Sequence, residues 1–115
     1  PAAFRPVPPQ PAVTPAGPFR RSWEIAMRYS ALHRNARLVG LTIATFADYQ
    51  TGLIAPLDHP SVVRLSKATA LELTNVRTSL HRLKGGGWIE RTDVDDDTYP
   101  SRITLLIPEH ARLRE

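Results

Sequence analysis

A mainly α-helical domain finished by a small β-hairpin is the fold this sequence predicts, and three observations predict it. Seven of the eleven prolines fall within the first eighteen residues, so the start of the chain cannot be helix. Between residues 22 and 84 apolar side chains recur at helical spacing, in segments separated by capping residues. After Gly85-Gly86-Gly87 the pattern changes to two short stretches rich in aliphatic and aromatic side chains, joined by a polar loop.

Each element follows from local chemistry. Residues 1–21 are expected to be a Pro-rich disordered arm or linker, extended because proline removes backbone donors and biases its predecessor away from helix. The absence of an initiating Met fits a processed terminus or a piece of a longer chain. The folded unit is expected over residues 22–107. Ser22 is placed as the N-cap of a short first helix carrying Trp23, Ala26 and Met27, with Glu24 in its first turn. A second, central helix is expected from about residue 34 to 49, its buried stripe formed by Leu38, Leu41, Thr42, Thr45 and Phe46, broadened by Ile43. Gly52 is read as its left-handed cap, and Leu53-Ile54-Ala55 as a short strand before Pro56. Ser61 caps a third helix that runs out near Thr69, and Thr74 is placed as the cap of a fourth, whose apolar face is Val76, Leu80 and Leu83 with the small Ser79 beside them. The glycine triplet stops this helix through positive φ, and residues 88–91 and 102–107 pair as a hairpin. Residues 108–115 read as the start of a C-terminal helix with Pro108 at its first position, or as a tail. Helix, turn, helix and hairpin together define a winged helix-turn-helix.

Charge narrows the function classes. Fifteen Lys and Arg against eleven Asp and Glu leave +4, and thirteen of the fifteen are Arg, whose planar guanidinium suits bidentate contacts to phosphate and guanine. The surplus is uneven: residues 1–21 carry +3, residues 22–84 carry +4 and residues 85–115 carry −3. The total lack of Cys excludes a disulfide framework, a thiolate metal site and a cysteine nucleophile. No apolar run approaches the roughly 18 residues that span a bilayer, and no secretory signal is present, so a soluble, cytoplasmic, nucleoid-associated protein is expected. His33, His59, His81 and His110 share no metal-binding spacing, and no Ser/His/Asp grouping or carboxylate pair has catalytic context, so neither a cofactor nor an enzyme is expected. The glycine triplet lacks the Lys-Ser/Thr of a phosphate cradle. Asp93, Asp95 and Asp97 alternate like a calcium loop, but Thr98 and Thr104 stand where Gly and Glu are required. Trp23 and Trp88 are expected in the core.

The segment Leu65-Ser66-Lys67-Ala68-Thr69-Ala70-Leu71-Glu72-Leu73-Thr74-Asn75-Val76-Arg77-Thr78-Ser79-Leu80-His81-Arg82-Leu83, with residues 84–89 after it, resembles the bacterial winged helix-turn-helix of MarR-like and GntR-like regulators and of plasmid or phage replication initiators. Asn35-Ala36-Arg37-Leu38-Val39-Gly40-Leu41 is similar to the helix preceding the motif in the initiators, so the likeness spans residues 34–106. The resemblance implies packing roles for Leu65, Ala68, Leu71, Val76, Leu80 and Leu83, and places Thr74, Asn75, Arg77, Thr78 and His81 toward a DNA major groove. Two departures stand out: Ala70 replaces the usual Gly, implying a less sharply bent turn, and the wing is acidic.

The expected function is sequence-specific binding of double-stranded DNA, as a transcriptional regulator or a replication-initiation or maintenance factor of a mobile element. A major groove admits one helix, so Asn75 is assigned to adenine, Arg77 to guanine, and Arg82 and Lys84 to phosphates. Arg64 and Lys67 brace the preceding helix on the backbone, and Arg91 and Arg102 on the hairpin stems reach the minor groove or phosphates. Arg20 and Arg21 are expected to assist from the arm. Asp93, Asp95, Asp96 and Asp97 at the wing tip would repel DNA, so the tip is expected to point away or move. The C-terminal helix could pair two protomers into a homodimer. The alternative is a protein-interaction winged helix that works through the acidic wing or the Pro-rich arm.

Overall fold

The computed structural model describes residues 17–94 and 96–112. Most of the expected arm, Asp95 in the acidic loop and the last three residues of the expected C-terminal helix lie outside them. The order is α1 (Phe19–Arg28), α2 (Arg34–Ala44), α3 (Val62–Thr69), α4 (Leu73–Gly85), β1 (Ile89–Arg91), β2 (Ile103–Leu105) and α5 (Glu109–Arg112). α2 packs against α1, α3 and α4. The result is a mainly α winged helix-turn-helix with a two-stranded wing.

α1 begins three residues before the expected cap. Its first amides are satisfied from far along the chain: Phe19 N–H donates to Gln50 O (3.0 Å) and Arg20 N–H to Tyr49 O (3.2 Å). Ser22 is therefore a buried helical residue, its hydroxyl donating back to Pro18 O (3.2 Å). Arg20 is likewise no part of a linker, since it pairs with Glu24 at 3.0 Å and donates to Ala47 O.

α2 is shorter than expected and buries a different face. Thr45 Oγ1 donates to Thr42 O and Phe46 N–H to Ile43 O, tightening the chain after Ala44 into turns. Leu38 and Leu41 are 42% and 37% exposed, whereas Ala36, Val39, Gly40, Ile43 and Ala44 are buried. The reason is close approach: a Cβ on Gly40 would lie 3.1–3.2 Å from Met27, Leu83 and Trp23, so the helix turns its small residues inward. Gly52 does adopt positive φ (74°), with the Phe19 ring against it. The strand expected at residues 53–55 reduces to one antiparallel bridge between Ala47 and Ile54.

α3 starts as expected, with Ser61 Oγ accepting from Arg64 N–H at 3.1 Å. The turn after it is sharp despite lacking glycine, because Ala70 itself takes the left-handed conformation (φ 63°). Ser66 and Thr69 hydroxyls donate to Leu71 O and Leu65 O, holding that turn. α4 begins at Leu73 with Glu72 as N-cap and no side-chain cap bond, so Thr74 lies inside the first turn. Its buried residues, Val76, Ser79, Leu80 and Leu83, match the expected face. Ala68 does not pack; it is exposed, and Leu71 is half-buried.

Gly87 (φ 82°) redirects the chain into β1, which pairs with β2 in the register Ile89↔Leu105, Glu90↔Thr104, Arg91↔Ile103. Trp23 and Trp88 meet edge to face at 6.0 Å inside the core. The Trp23 indole N–H donates to Trp88 O (3.2 Å) and Leu106 O (2.8 Å), so α1 grips both strands at the hairpin base. α5 returns Ala111 to the core and sets His110 edge-on to Trp88.

Candidate nucleic-acid interface

α4 offers its polar surface in three strips, set by the roughly 100° turn per residue. Val76, Leu80 and Leu83 fix the inward side. Opposite them, on the crest, stand Thr74, Thr78 and His81, all exposed. One flank carries Asn75 and Arg82, seven residues or about two turns apart. The other carries Arg77 and Lys84 at the same spacing. Asn75 and Arg77, expected to read neighbouring bases, thus project from opposite flanks, because side chains at i and i+2 do not share a face.

The flanks differ in occupancy. The Arg82 side chain makes no hydrogen bond or ion pair among the described residues, and both it and Asn75 stand exposed. Arg77 is ion-paired with Asp97, and Lys84 Nζ donates to Asp93 Oδ1 (3.2 Å) and to Arg91 O (3.1 Å). Asp93 and Asp97 of the acidic loop therefore lie against α4. The backbone of Asp97 is fixed too, since its carbonyl oxygen accepts from Val63 N–H at 3.0 Å. That amide belongs to the first turn of α3, where helix donors lack intrahelical partners. Asp96 faces its own turn, accepting from Thr98 N–H and Oγ1, and these bonds, the hydroxyl first, hold its carboxyl below the usual carboxylate range.

Between the wing and α4 lies a cavity of about 300 Å³ bordered by Arg77, His81, Lys84, Arg91, Asp93 and Asp97. Arg91 reaches it from β1, half-buried, and its Nε is buried without a partner among the described residues. Burial lowers the pKa of this guanidinium, while the Asp93 and Asp97 charges oppose the shift. Lys84 and Arg91 also border, with Arg102, Thr92, Thr104 and Glu90, a second, more open cavity of about 410 Å³. Arg64 and Lys67 are exposed on α3, with Arg64 lying 5.2 Å from the centre of the Phe46 ring.

A scan of protein-family models, of curated proteins and of solved structures finds no match to this chain. What can be said of the site rests on its chemistry. It offers cations and amide or hydroxyl donors on α3, α4 and the wing stems, with no acidic side chain on the outward surface of α4 after Glu72. Among the described residues no group of three or more His, Asp or Glu could hold a metal ion, and no described helix is long and apolar enough to cross a membrane.

The sequence reading missed the part played by Asp93 and Asp97. The separation of charge between the middle of the chain and its last third was the available signal: a basic helix and an acidic loop on adjacent elements attract each other.

Proposed function

We propose that the domain binds double-stranded DNA, with α4 as the recognition helix in the major groove. The observation that carries this reading is the exposed strip of Thr74, Asn75, Thr78, His81 and Arg82, a surface of donors backed by a buried underside of Val76, Leu80 and Leu83 with the small Ser79. A helix of this width fits a major groove, and its first turns present Thr74, Asn75 and Thr78 to base edges. Arg64 and Lys67 on α3, with Arg82, Arg91 and Arg102, supply phosphate contacts. A role in transcription or in replication of a mobile element, as in the MarR-like, GntR-like and initiator proteins the sequence resembles, is the corresponding biological setting.

Selection of bound sequences from a random duplex pool tests the proposal. A defined consensus, with log K falling against log salt at a slope of roughly −4 to −5 for about five neutralised phosphates, is expected. A salt-independent affinity, or no enrichment, would overturn it. Substituting Asn75→Ala together with Arg77→Ala should abolish discrimination among duplexes; undiminished discrimination contradicts the assignment.

A further inference from the structure

We infer that Asp93 and Asp97 of the acidic wing form an electrostatic latch over the DNA-binding helix: they occupy Lys84 and Arg77 until bound DNA displaces them. The inference rests on the DNA-binding reading and concerns the control of that site.

Three observations converge on it. First, the carboxylates meet the cations of one flank only; Arg77 and Lys84 are paired while the Arg82 guanidinium, across the helix, has no partner among the described residues. Second, the tip is placed rather than merely attracted, because the Val63 N–H to Asp97 O bond seats residue 97 at the start of α3. Third, the wing is held more weakly at its tip than at its root. The root is tied by the Trp23 indole to Trp88 and Leu106, whereas the tip is held by the one backbone bond to Val63 and by side chains that remain partly in solvent: Arg77 is 46% and Asp97 31% exposed.

The exchange is close to even. Carboxylates, phosphates and base edges all present acceptors to a guanidinium or an ammonium, so lifting the tip costs two partly exposed ion pairs and the Val63 N–H to Asp97 O bond, whose ends turn to water, and returns two contacts to DNA. Exposed pairs are individually weak, which suits a contact that must yield. Release would also uncover the cavity in which the Arg91 Nε lacks a partner. The alternative role for the same contact is to hold Arg77 in a DNA-competent pose, and that predicts the opposite sign when Asp97 is neutralised.

The test compares the full chain with Asp93→Asn/Asp97→Asn for binding to a mixed-sequence DNA duplex, with Glu109→Gln on α5 reporting the effect of removing an exposed carboxylate that pairs with no cation among the described residues. The latch predicts roughly fivefold tighter binding by the double variant, beyond any gain in the control. Amide hydrogen exchange supplies a second readout. Duplex binding to the unaltered protein should speed exchange at Val63, and the double variant should show faster exchange there without DNA while the amides of α2 stay protected. Binding that is unchanged, or no tighter than the control's, overturns the latch, and weaker binding assigns Asp97 to positioning Arg77. Val63 protection that persists in the complex overturns it as well. Duplex binding by none of the three proteins overturns the DNA-binding reading and the latch together.

Discussion

The two flanks of α4 share a helix, a charge sign and a spacing, yet they differ in what they are free to touch. Among the described residues, Asn75 and Arg82 face solvent with side chains unpaired, whereas Arg77 and Lys84, also exposed, are ion-paired to the wing. The difference arises entirely from tertiary structure, because the loop that covers one flank is anchored twenty residues along the chain from Arg77. Counting basic residues on a helix therefore overstates its available charge whenever an acidic neighbour folds back on it.

The largest way to break this contrast is to remove the joint that holds the wing in place. Trp23→Ala should destabilise the fold by about 4 kcal/mol, through an emptied core site and two carbonyls left without the indole donor. Chemical denaturation measures this, and a loss below about 1 kcal/mol would mean the hairpin base is held by something else. Single truncations sharpen the contrast. Arg82→Ala is expected to weaken duplex binding about fivefold and to reduce the salt slope by about one, while Arg77→Ala should weaken it less, since losing a contact is offset by losing a latch partner. Equal losses in titrations of the two variants would show the flanks to be equivalent.

Ala70→Gly probes the turn that sets α4 against α3. Relief of left-handed strain at φ 63° should stabilise the fold by about 0.5–1 kcal/mol, seen as a higher denaturation midpoint. The smallest effect concerns the far side of the wing, where His59 Nδ1 accepts from Ile103 N–H at 3.0 Å. Burial, and then the Arg102 charge, push the His59 pKa below its ordinary 6.5, with Asp58 opposing. The folded protein thus resists a proton that the unfolded chain accepts. The stabilisation is complete above pH 6.5 and is lost as pH falls through the lower folded value. A His59→Gln variant should flatten thermal stability over that acidic range; an unaltered profile would remove His59 from the account.

Much of this could be read from residue patterns. Ser61 before an apolar run, Val76, Leu80 and Leu83 at i, i+4 and i+7, and a glycine triplet before aliphatic stretches are local signals, and the structure places them accordingly. The errors share a cause in non-local chemistry. α1 starts at Phe19 because Gln50 and Tyr49 supply its caps. α2 turns Leu38 and Leu41 outward because the close approach at Gly40 outweighs the size of the leucines. The docking of the wing depended on ion pairs and a backbone bond between separate elements, for which no spacing rule exists.

The meeting of Trp23 and Trp88 at the hairpin base has an optical consequence. These are the two tryptophans of the chain, and both are enclosed at one joint. Intrinsic emission therefore reports whether that joint is intact and is blind to the crest of α4. Lifting the tip leaves the colour of the emission where it was, and a red shift on adding a duplex would mean that the hairpin had come away from α1.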